Sequence, residues 1–105
     1  MARRGLPAYL EPFFWDHDFS TLSWEEHRDF IVGRLLSAGD WRSIRWLVAR
    51  LGLPGIRDWI IAHRARGLDP RQVRFWEIVL DLPAELVSEW LEEKRTNPWF
   101  GRIKR

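Results

Sequence analysis

A chain of 105 residues with 46% hydrophobic side chains and eight tryptophans has the size and apolar content of one folded domain. Each buried tryptophan removes roughly 150–250 Å² from water, so disorder is excluded away from the ends, and no window approaches the roughly 20 apolar residues that span a bilayer. The lack of cysteine excludes a disulfide framework, a zinc ribbon and thiol chemistry. No apolar stretch follows Arg3-Arg4 to make a secretory signal, and a cytoplasmic location is expected.

The net charge is only +2, yet it is segregated along the chain. Six acids and one base lie between Glu11 and Asp29, and eight arginines lie between Arg42 and Arg74. Six acids run from Glu77 to Glu93 without a base, and Lys94, Arg95, Arg102, Lys104 and Arg105 make the tail basic. Such alternation suits helices that pair charges across exposed faces. It also suits a basic central surface for a polyanion or an acidic protein.

In chain order, residues 1–12 read as a flexible lead-in interrupted by Pro7 and Pro12. Phe13 to Phe19, closed by Trp24, carries five aromatics with no helical or strand period, and it is expected to be pinned onto a helical body. Phe14, Trp15 and Phe19 are the pins, with Asp16 and Asp18 meeting Arg28 or Arg34. Ser23 to Glu26 is a capping box that opens a helix to about Ala38, with Gly39 as a left-handed C-terminal cap. Its stripe is Trp24, Ile31, Leu35 and Ala38.

Asp40 caps a second helix from Trp41 to about Leu51, ended by Gly52, whose inner face is Trp41, Ile44, Leu47, Val48 and Leu51. Pro54 opens a third helix to about Arg66, with Ile56, Trp59, Ile60 and His63 inward. Asp69-Pro70-Arg71-Gln72 is a second capping box, starting a helix to about Leu82 that is apolar on two sides and so expected to be buried between others. Pro83 starts a fifth helix carrying Leu86, Val87, Trp90 and Leu91. Residues 96–105 form a basic tail. The fold class is therefore all-α, a compact single domain of four to five short helices over residues 13–95.

Few residues offer chemistry. Asp16-His17-Asp18 has oxygen and nitrogen donors, but three neighbours seldom converge on one ion, and the three histidines show no ligand spacing. No serine sits in a nucleophile elbow and no phosphate loop is present, so neither catalytic residue, metal nor cofactor is expected. Two binding readings remain. Trp15, Trp46, Trp99 and Phe100 are the aromatics that helical wheels fail to bury, and aromatics beside arginine make interface hot spots. The alternative is a nucleic-acid surface of Arg42, Arg45, Arg50, Arg57, Arg64, Arg71 and Arg74, joined by Arg66 and with Trp46 stacking on a base. Homodimerisation through the spare aromatics is a third possibility.

Phe14-Trp15-Asp16-His17-Asp18-Phe19, Leu22, Trp24 and His27-Arg28-Asp29-Phe30-Ile31-Val32-Gly33-Arg34 resemble the opening of a small bacterial domain of unknown function. Gly39-Asp40-Trp41, Arg45-Trp46-Leu47, Arg64, Leu68 and Phe75-Trp76 continue the likeness, which covers roughly residues 13–82. Arg45 stands where the pattern often has lysine. Such domains accompany abortive-infection-type nucleotidyltransferase toxins. The resemblance implies a non-enzymatic antitoxin or accessory protein acting by contact, and it brings no catalytic residues.

Overall fold

The computed structural model describes residues 6–96, and among them the regular elements are all helical. They fall into two units that divide between Ala49 and Arg50.

The first unit begins with a 3₁₀ helix, Ala8–Phe14, so helical backbone reaches into the stretch expected as a lead-in. The prolines do not prevent it. Pro7 lies before the first turn and its carbonyl accepts from Leu10 N–H at 3.1 Å, while Pro12 costs the short helix only one donor. Leu10 and Phe14 are its buried side chains. A second 3₁₀ turn, Phe19–Thr21, is capped by Asp18, which accepts from Ser20 N–H at 3.1 Å and from its hydroxyl at 2.7 Å. Asp18 therefore serves its own turn rather than an arginine.

Helix α1, Trp24–Ala38, buries Ile31, Val32, Leu35 and Leu36, while Ala38 is exposed. Its capping box is only half formed. Ser23 Oγ accepts from Glu26 N–H at 3.2 Å, but Ser23 N–H donates to His27 Nδ1 at 3.1 Å. His27 leaves the helical region (φ −124°, ψ 25°), which brings its ring within reach in place of the Glu26 carboxylate. Gly39 is extended (φ −73°, ψ 158°) rather than left-handed. Glycine is required there by crowding, because a Cβ would stand 2.6 Å from the Leu35 carbonyl oxygen and 2.4 Å from Ser43 Oγ. Asp40 accepts from Ser43 N–H at 2.9 Å, as expected of an N-cap.

Helix α2, Trp41–Ala62, holds the backbone break anticipated at Gly52 (φ 85°, ψ 152°), a conformation essentially restricted to glycine. Before the break Ile44 and Leu47 are buried, but Trp41 is 63% exposed. It is the first helical residue, an end position that a helical wheel does not distinguish from the interior.

In the second unit, residues 53–62 bury Ile56 and Ile60. The helix stops at Ala62 rather than Arg66, because Arg64 and Ala65 both adopt left-handed backbone (φ 53° and 56°). Helix α3, Pro70–Leu80, has the full capping box: Gln72 N–H donates to Asp69 Oδ1 at 2.8 Å and Asp69 N–H to Gln72 Oε1 at 2.9 Å. Asp81 ends it in left-handed backbone. Helix α4, Ala84–Thr96, follows and packs on α3, burying Val87 and Trp90. Helix α3 is not enclosed on two sides. Val73, Trp76 and Leu80 are buried, whereas Phe75, Ile78 and Val79 are 44%, 81% and 42% exposed.

Candidate interaction surface

Arg34, on α1, organises the aromatic segment of the first unit. Its guanidinium forks onto both Asp16 carboxylate oxygens at 2.8 and 3.0 Å and also donates to the Phe13 carbonyl at 2.9 Å. Bidentate geometry of this kind fixes orientation as well as adding attraction. The same cation lies 4.9 Å from the Phe30 ring centroid and 5.7 Å from that of Phe14, within cation–π range. Phe14 is buried against Phe30 and Phe19, at centroid separations of 5.6 and 6.0 Å.

Trp15 lies between the two anchored residues and is 80% exposed, so it is presented to solvent rather than used as a pin. The Arg34 fork holds the Asp16 carboxyl well below the usual carboxylate range, and a weaker bond from His17 Nδ1 at 3.2 Å acts in the same direction. With Asp16 held by Arg34 and Asp18 by Ser20, the acids of this segment are committed to local structure. Among the described residues no three His, Cys, Asp or Glu side chains converge as an ion site would need.

The other sequence-derived candidates separate. Trp46 is half-buried, its ring edge-on to Trp24 at 5.6 Å, so it has a packing partner. Trp99 and Phe100 lie outside the described residues. Arg42 and Arg45 are exposed in the first unit, with the Arg42 guanidinium 3.7 Å from the Tyr9 ring centroid. Arg50, Arg57, Arg64, Arg71 and Arg74 belong to the second unit, where Arg64 and Arg74 meet carboxylates of the chain. Arg74 donates to Glu77 Oε1 at 2.8 Å.

Arg64 meets Glu93 directly and Glu89 at 3.7 Å, contacts that raise its pKa further, and Lys94 Nζ donates to the Ala65 carbonyl at 2.9 Å. These contacts clasp the left-handed pair, and the desolvation they bring lowers the Lys94 pKa. A groove of about 660 Å³ opens between α3 and α4, but two cations on its wall, Arg74 and Arg95, are paired to Glu77 and Glu92. Two exposed features differ from the sequence expectation: Trp41, whose spacing puts it on an inner face, and Phe75, Ile78 and Val79, whose helix the pattern expects to be covered. The signal for the second was present in the i, i+3, i+4 spacing; what periodicity does not say is which of two apolar faces finds a cover.

No curated protein and no solved structure matches the chain. Residues 9–60, which include the Arg34 cluster and α1, match the model of a family of unknown function, DUF6922.

Proposed function

We propose that this is a non-enzymatic protein-interaction domain that engages its partner through Trp15. One observation carries the reading: an 80% exposed tryptophan stands on backbone anchored on both sides by Arg34, at Phe13 and at Asp16. Backbone already held in place loses little freedom on binding, which favours affinity. Tryptophan bordered by arginine is also the composition of binding hot spots. The resemblance to domains that accompany abortive-infection-type nucleotidyltransferase toxins gives the partner its chemistry: such a toxin, neutralised by contact in the cytoplasm.

The test is co-expression with the products of the adjacent genes, followed by size-exclusion chromatography and titration calorimetry. A complex is expected, and Trp15→Ala should weaken it by about 2 kcal/mol or more, the loss typical of a hot spot. A complex indifferent to Trp15→Ala would move the surface elsewhere, and no complex with any neighbouring product would overturn the reading.

A second reading, binding of single-stranded nucleic acid, draws on the exposure of Trp41 beside Arg42 and Arg45 at the start of α2. Base stacking on an aromatic with phosphate contacts alongside is the usual arrangement. An oligonucleotide arm of the same calorimetry separates the two readings, since phosphate contacts make binding fall steeply with salt.

A further inference from the structure

The start of α1 sets one backbone donor between two acceptors, and we infer that the protonation state of His27 decides which of them caps the helix. Ser23 N–H donates to His27 Nδ1 at 3.1 Å. A ring nitrogen that accepts must carry no proton, so the imidazole is neutral and protonated on Nε2. The bond is made from backbone that has left the helical region, with φ −124° and ψ 25° at His27. A distortion of this kind persists only where its surroundings hold it.

The second acceptor is close by in sequence. Glu26 is the third residue of α1, the position from which a capping-box carboxylate reaches back to the N-cap N–H. Ser23 already makes the forward half of the box, accepting from Glu26 N–H at 3.2 Å. The Glu26 side chain is exposed and bonded to nothing among the described residues. The imidazole has taken the other half.

Protonation reverses the chemistry at Nδ1. An imidazolium donates from both nitrogens, so one N–H would face another and the Ser23 bond is lost. The amide then turns to the Glu26 carboxylate, a charge-assisted acceptor, and residue 27 returns to helical backbone. The new cation is also disfavoured beside the unpaired amides at a helix N-terminus.

Among the described residues the ring has no polar contact besides Ser23 N–H. In the neighbouring 3₁₀ segments Asp16 is bonded to Arg34 and His17, and Asp18 to Ser20. On α2 the Arg42 guanidinium lies on Tyr9. Glu11, Arg45 and, on its own helix, Glu25, Arg28 and Asp29 are exposed and not bonded to the ring. The cap itself sits among packed side chains. Leu22 and Trp24 on either side of Ser23 are buried, and Trp24 meets Trp46 edge-on at 5.6 Å.

The test is nuclear magnetic resonance of the isotope-labelled full chain between about pH 8 and pH 5.5. Histidine ordinarily exchanges its proton in this window, and carboxylates ordinarily stay ionised. At the upper end the His27 ring nitrogens should report the Nε2–H tautomer. As the ring takes its second proton, the Ser23 amide resonance should shift on the same curve, and the His27 Cα resonance should move to a helical value. His27→Gln, which does not titrate, should abolish both shifts. Glu26→Ala, at an exposed position, removes the second acceptor. Its Ser23 amide should lose roughly tenfold in exchange protection between the two ends, about one net hydrogen bond, where the wild type retains it. The Nδ1–H tautomer at the upper end overturns the inference, as does a Ser23 amide or His27 Cα resonance that ignores the ring titration. Equal Ser23 protection in Glu26→Ala and the wild type at the lower end overturns it too.

Discussion

Each of the two units fixes a stretch of non-helical backbone with an arginine–carboxylate pair, but with the roles exchanged. In residues 1–49 the arginine, Arg34, sits on a helix and the carboxylate, Asp16, on the segment it holds. In residues 50–105 the arginine, Arg64, sits on the held segment and the carboxylate, Glu93, on helix α4. What is held also differs. The first pair fixes a turn whose middle side chain, Trp15, faces solvent, while the second fixes a turn whose Ala65 is wholly buried. One anchor presents a side chain and the other closes a connection. An arginine–carboxylate pair near an irregular segment is thus no guide to function until the exposure of the intervening residue is known.

The sharpest way to break the comparison is within the first unit, where neighbouring aromatics do opposite things. Phe14 is 1% exposed and Trp15 80%. Phe14→Ala should cost about 3–5 kcal/mol of unfolding free energy, the range for emptying a buried aromatic site. Trp15→Ala should change stability by less than about 0.5 kcal/mol, as exposed substitutions do. Denaturant titration of both variants checks this, and a comparable loss for Trp15→Ala would mean that the side chain is structural rather than presented.

A smaller effect is expected at the α2 break in the second unit. Gly52 has φ 85° and ψ 152°, and nothing but the Pro54 ring would touch an added Cβ. The cost of Gly52→Ala is then backbone strain alone, about 1–3 kcal/mol. A neutral substitution in the same denaturant titration would show that the break can relax toward a continuous helix.

Local signals were legible at most helix ends and breaks. Asp69 and Gln72 lie three residues apart and formed their box, and Asp40, Pro54, Gly52 and Pro83 marked helix ends or breaks close to where they occur. One departure is itself local, and another has a longer-range cause. His27 displaced Glu26 because a kink brought its imidazole to Ser23 N–H. The third helix stopped early because the left-handed pair Arg64-Ala65 is clasped by Glu93 and Lys94, some 29 residues away in sequence. Among the site residues, Arg34 is one of two arginines the sequence offers as partners for Asp16 and Asp18. Its simultaneous reach to Phe13 and Asp16 depends on a fold that spacing alone does not give.

The finest test follows the first anchor through pH. Because the Arg34 fork holds the folded-state carboxyl of Asp16 below its ordinary range, the folded protein binds fewer protons there than the unfolded chain. Its contribution is complete above the unfolded value near 4, and it fades as pH falls from there through the depressed folded value. Asp16→Asn removes the titrating group while keeping its shape. The wild-type advantage over this variant should hold at pH 7 and shrink steadily below about pH 4 in denaturant titrations at matched ionic strength. The Arg64 pKa is raised from an already high value, so that arginine stays charged across the same range and adds no slope of its own. The effect should be the smallest of the series, since the pair is partly exposed and screened by solvent. An advantage that stayed constant to pH 2 would mean that the fork orients Asp16 without drawing on its charge, and Trp15 would then owe its fixed position to the Phe13 carbonyl contact instead.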